Sequence, residues 1–94
     1  MSEFVDCDTA TLARQIGVGN ILAISGGRIT RHRTGIILPV SHGYRVAVDL
    51  AANDTYTVRR VFVRSGKVTV KQAWTYVHAD EVGAVAYEAS CFRN

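Results

Sequence analysis

The chain has 94 residues, 48% of them hydrophobic and 20% charged, with a formal net charge of +3. This is enough for one domain spanning residues 1–94 and excludes a second core or a separate cofactor domain. The balance is that of a globular chain, well away from the low-hydrophobicity regime of disorder. The longest apolar run, Ile36-Ile37-Leu38-Pro39-Val40, is far short of the roughly 20 residues of a membrane-spanning helix.

Residues 1–7 read as a flexible N-terminal arm. They are acidic and lack the basic start and apolar stretch of a secretory signal, which predicts a cytoplasmic protein. Asp8 or Thr9 is placed to cap a short helix over residues 9–16, with Leu12 and Ile16 four apart on one face. Gly17-Val18-Gly19-Asn20 then ends that helix. Ile21-Leu22-Ala23-Ile24 predicts a strand running into a Ser25-Gly26-Gly27 hairpin turn. Residues 28–33 predict a polar strand, and Thr34-Gly35 a turn into a strand over residues 36–40, with Pro39 at an edge or a strand end. Tyr44, Val46, Val48 and Leu50 alternate with Arg45, Ala47 and Asp49, the clearest strand pattern in the chain. After the Ala51-Ala52-Asn53-Asp54 turn, residues 55–64 carry Tyr56 and Val58 on one parity and Val61 and Val63 on the other, which predicts a bulge at Arg59-Arg60. Ser65-Gly66 turns into a return strand through Val68, Val70 and Trp74. A final amphipathic helix over residues 80–92 has Asp80 at its N-cap, with Gly83 allowing close packing. The predicted fold is α+β: a four- to five-stranded antiparallel meander with a short N-terminal helix and a C-terminal amphipathic helix.

Charge is unevenly distributed. Residues 28–71 carry nine Lys and Arg against two acids, whereas residues 1–27 and 72–94 each have one Arg against three acids. Cations on strands and hairpins suit phosphate contact, with Tyr44, Tyr56, Phe62 or Trp74 available for stacking. The expected nucleic-acid-binding residues are Arg31, Arg33, Arg45, Arg59, Lys67 and Lys71. The plainer account is a solvated sheet face whose charges block edge-to-edge pairing.

Other features carry less. Ser25-Gly26-Gly27-Arg28 lacks the glycine spacing and Lys-Ser/Thr ending of a phosphate loop, and Asn53-Asp54-Thr55 reads as a turn. His32, His42 and His78 form no short ligand pair with one another or with Cys7 and Cys91, so neither a metal nor a cofactor is expected. Two cysteines are too few for a disulfide framework, and reduced thiols are expected. Cys91 reads as a small buried hydrophobe of the last helix. No catalytic residues are predicted; a small enzyme would need a histidine brought beside a Ser, Cys or carboxylate.

Leu22-Ala23-Ile24-Ser25-Gly26-Gly27-Arg28, Leu38-Pro39-Val40 with His42-Gly43-Tyr44, the run Asp54-Thr55-Tyr56-Thr57-Val58-Arg59-Arg60-Val61-Phe62, and Asp80-Glu81-Val82-Gly83 with Ala86-Tyr87 and Ala89-Ser90-Cys91-Phe92 carry a resemblance. The chain resembles a group of small uncharacterised proteins of actinobacteria and their bacteriophages. The resemblance implies an accessory protein, acting in the host cytoplasm if phage-encoded, and brings no site residues with it. The expected function is a non-catalytic accessory binding protein that contacts nucleic acid through a basic sheet face. The alternative is a protein–protein module that binds or inhibits a host factor. No membrane partner is expected, and a homo-oligomer is compatible with either reading because one sheet with few helices leaves an edge or face uncovered.

Overall fold

The computed structural model describes residues 3–91. Helix α1, Thr9–Ile16, starts as its sequence predicts: Asp8 is the N-cap, and its carboxylate accepts from the backbone N–H groups of Ala10 (3.1 Å) and Thr11 (3.3 Å). Leu12 and Ile16 on its inner face are fully buried.

The predicted strand at residues 21–24 is instead a second helix, α2, Val18–Ser25. Gly17 ends α1 as expected, its N–H donating to Ala13 O, but at φ 94° it redirects the chain straight into the next helix, and its carbonyl accepts the Ile21 N–H. The two polar side chains of α2 bond within the local chain: Asn20 Nδ2 donates to Ile16 O (2.8 Å), and the Ser25 hydroxyl donates to Ile21 O (3.1 Å) and to Arg28 O. Gly26, left-handed at φ 67°, closes the helix through its N–H to Leu22 O. Burial of Ile21 and Ile24 with exposure of Leu22 and Ala23 is the helical period, which four consecutive apolar residues do not reveal.

Five strands follow: β1 Thr30–His32, β2 Gly35–Pro39, β3 Tyr44–Leu50, β4 Tyr56–Arg64 and β5 Lys67–Val77. They form an antiparallel meander in the order β1-β2-β3-β4-β5, so β1 and β5 are the edges and Pro39 lies at a strand end. Cross-strand partners share a face. The row Arg31, Ile36, Val48, Val58, Trp74 and the row Leu38, Val46, Arg60, Gln72 therefore look one way. The apolar members of these rows join Leu12, Ile16, Ile21, Ile24, Val82 and Ala86 in a single core beneath the helices. The opposite face carries no helix and includes His32, Arg45, Asp49, Arg59, Val61 and Val70.

The β3–β4 ladder is regular, and the bulges sit in β4–β5. Their extra residues are on β5: Lys71 between the partners of Arg60 and Val61, and Thr75 with Tyr76 opposite Thr57. The expected bulge is therefore at this level of the sheet but its extra residue is on β5, and Arg60 points inward with Val58.

Helix α3, Val82–Cys91, begins after Glu81, one residue later than an Asp80 cap predicts; the Glu81 carboxylate accepts from His78 N (3.1 Å). The Phe92 expected in this helix lies outside the described residues. Gly83 packs where α1 gives way to α2: a Cβ there would stand 2.4 Å from Ile16 O. The segment expected as a flexible arm is tied down from Phe4 onward, by a bridge to Ala51 and by bonds from Val5 N to Leu50 O (2.9 Å) and Cys7 N to Arg33 O (2.8 Å); Met1 and Ser2 lie outside the described residues.

Candidate nucleic-acid interface

The six cations singled out from the sequence fall in three places. Arg31 and Arg33 stand at the β1 edge, roughly 19 Å from β5 at about 4.8 Å per strand. Arg31 looks toward the helix side, 3.5 Å from the Thr9 hydroxyl, and Arg33 is ion-paired with Asp6. Arg45 and Arg59 are diagonal neighbours on the uncovered face. Arg59 donates to Asp49 Oδ2 (2.8 Å) and lies over the Phe4 ring, 5.2 Å from its centroid. Arg45 lies across the sheet with its Nη1 buried and without a hydrogen-bond partner. Lys67 and Lys71 belong to the β4–β5 hairpin.

That hairpin is where cations and an aromatic ring converge. Ser65 (φ 53°) and Gly66 (φ 77°) make the two-residue turn with positive φ at both positions that matches strand twist. The turn sets Arg64 opposite Lys67, and the next helix-side pair is Phe62 with Thr69. Phe62, Arg64, Ser65, Lys67 and Thr69 line one open cleft of about 380 Å³. Because Lys71 is a bulge residue it reaches the same side, its ammonium 5.9 Å from the Phe62 centroid. Behind Phe62, Tyr44 sits at 4.9 Å in a tilted pair, and the Arg60 guanidinium covers Tyr44 at 4.1 Å. Arg60 is itself fixed by donating from Nη1 to Ala89 O (2.9 Å) and Ser90 O (3.0 Å) at the end of α3. The result is a column of Lys71, Phe62, Tyr44 and Arg60 whose inner end is locked and whose outer end is open to solvent. No acid occurs between Thr55 and Ala79.

The chain matches no protein-family model, and no curated protein or solved structure is significantly similar to it.

Two other clusters bear on catalysis. On the uncovered face the Asp49 carboxylate, 2% exposed, accepts from the Thr34 hydroxyl (2.7 Å) and from Arg59, with His32 Nε2 3.7 Å away. Thr34 is itself buried and directs its proton to Asp49, so this group ties the β1–β2 turn to β3 and β4; it does not present a nucleophile. A second cleft, near 500 Å³, is lined by Ser41, His42, Tyr44, Arg60, Ser90 and Cys91. Both cysteines are free, and Cys91, expected to be buried, is exposed on α3. Burial, with the nearby Asp8 and Asp49 carboxylates, pushes the Cys7 thiol above its ordinary range, which keeps it protonated and unreactive. Among the described residues no three His, Cys, Asp or Glu side chains gather as a metal site, and no helix is long and apolar enough to cross a membrane.

In the sequence Phe62 is one of four aromatic residues suited to stacking, and nothing in the chain's composition or charge distribution singles out Arg64. The usable signal was the two-residue Ser65-Gly66 turn, which fixes Arg64 opposite Lys67 and Phe62 opposite Thr69.

Proposed function

We propose that this protein is a non-catalytic binding module whose working surface is the tip of the β4–β5 hairpin, and that its ligand is nucleic acid. The observation that carries the reading is the acid-free hairpin with Arg64, Lys67 and Lys71 around the partly exposed ring of Phe62. An aromatic face flanked by cations suits a single strand, with one base stacked on Phe62 and phosphates at the three side chains. An intact duplex offers no base face to the ring. Of the six cations read from the sequence, Lys67 and Lys71 carry the contact. Arg33 and Arg59 are engaged by Asp6 and Asp49, and Arg31 and Arg45 play at most a peripheral part. The resemblance to small proteins of actinobacteria and their phages fits an accessory role in the host cytoplasm.

The test is fluorescence anisotropy of a labelled single-stranded oligonucleotide at about 50 and 200 mM salt. Three neutralised phosphates give a slope near −2 in log–log form, so the fourfold rise should weaken binding about twentyfold. Lys67→Glu with Lys71→Glu should abolish binding and Arg33→Glu should leave it unchanged. Equal loss in both variants would reject the hairpin as the site.

A second reading, a module that engages a host protein, is favoured by one observation: on the other face of the same hairpin Val68 is 60% exposed and Val70 50% exposed.

A further inference from the structure

Strand β5 is 11 residues long, pairs with β4 along one side, and among the described residues meets no strand on the other. Such an edge is a template for one more strand unless it is guarded. Here the guards are Lys67, Lys71 and the two bulges, which still leave residues 67–70 as a regular stretch. Along this stretch the two faces differ. Val68 and Val70 point to the uncovered face, where Val61 and Val63 are their partners; Lys67 and Thr69 point to the helix side, with Lys71 beside them. An added strand would repeat that alternation. Its residues beside Val68 and Val70 would be β-branched and apolar, and those beside Thr69 and Lys71 would carry carboxylates.

We propose that the β5 edge accepts an extended acidic segment of a partner protein, alternating apolar and acidic residues, as a sixth strand. Charge decides the occupant. A second copy would bring another hairpin with Arg64, Lys67 and Lys71 against an edge that has no acid between residues 55 and 79, whereas a carboxylate-bearing strand neutralises those cations in place. The bound segment also covers Lys67 and Lys71, so it displaces nucleic acid. That consequence rests on the nucleic-acid reading; the strand addition does not.

The probe is a labelled ten-residue peptide alternating valine and glutamate, added to the full chain and followed by anisotropy and amide hydrogen exchange. The expected result is saturable binding with slowed exchange confined to β5. Lys67→Glu with Lys71→Glu should weaken it at least tenfold, and a valine–lysine peptide should fail to bind. Binding that leaves β5 exchange unchanged, or protection centred on another strand, overturns strand addition. So does a free chain that sediments as a dimer with β5 already protected, which would show a second copy on the edge. If the peptide protects β5 but oligonucleotides never bind, the sixth strand stands and only the displacement is lost.

Discussion

Adjacent arginines in this chain have opposite fates. Arg59 and Arg60 are equivalent in composition, yet the pleat turns Arg59 to the uncovered face and Asp49, and Arg60 into the helix layer against Tyr44 and the last carbonyls of α3. A count of nine cations in the middle of the chain was readable from sequence; which were already paired was not, because Asp6 to Arg33 and Asp49 to Arg59 are contacts between elements. Asp49 shows the same limit, since alternation placed it on the outer face of β3 but could not reveal Thr34 beside it. Its carboxylate is buried and charge-paired, so Asp49→Ala should cost about 3 kcal/mol by leaving Arg59 and Thr34 without their acceptor. Urea unfolding would measure it, and a cost under about 1 kcal/mol would show that the cluster does not hold the turn. Cys7 gives a second check at this scale. With burial first, and the Asp8 and Asp49 carboxylates after it, raising its thiol above the ordinary range, alkylation at pH 8 should be slower than that of a free small-molecule thiol and should rise with pH later than that thiol's does; mass-mapped iodoacetamide labelling would read it.

The elements most legible in sequence were those whose period was unambiguous. Helix α1 and strand β3 match their predicted spans because an Asp cap and strict alternation leave few alternatives. Helix α2 was misread because its run of four apolar residues carries no period, and its glycines act at Gly17 and Gly26, outside the run. Helix α3 was legible in outline, including the close approach at Gly83. Ala is ordinarily the better helix former, yet Gly83→Ala should destabilise by about 1–3 kcal/mol, because the new methyl meets backbone at Ile16, which yields only if a helix shifts. Thermal unfolding would show it; a rise in Tm would mean that the junction is looser than the packing indicates. The start of α1 is sensitive to acid. Hydrogen bonds from the Thr11 side chain and backbone hold the Asp8 carboxyl below its ordinary range. A folded pKa below the unfolded one stabilises above the unfolded value, near pH 4, and that support disappears as pH falls through the folded value. Asp8→Ala should therefore lower Tm at pH 7, and the difference from the wild type should shrink as the pH falls below about 4, as seen in paired melts by circular dichroism.

At the scale of the molecule, among the described residues three helices cover one face of a five-stranded meander, the other face carries no helix, and the β5 edge meets no further strand. The α+β class followed from the order of helical and alternating segments. The proposed binding surface did not, since it depends on a bulge that swings Lys71 toward Phe62 and on ion pairs that engage Arg33 and Arg59. For the proposed single-strand surface at the β4–β5 hairpin tip, Phe62 is the residue that separates base stacking from charge alone. The most direct measurement is therefore the affinity of Phe62→Leu for a labelled single-stranded oligonucleotide at about 50 mM salt, beside the wild type, with circular dichroism confirming the fold. Stacking of one base is worth about 1–3 kcal/mol, which predicts a loss of at least fivefold with the salt slope unchanged. Unaltered affinity in a folded Phe62→Leu variant, or no binding by the wild type, would contradict the account.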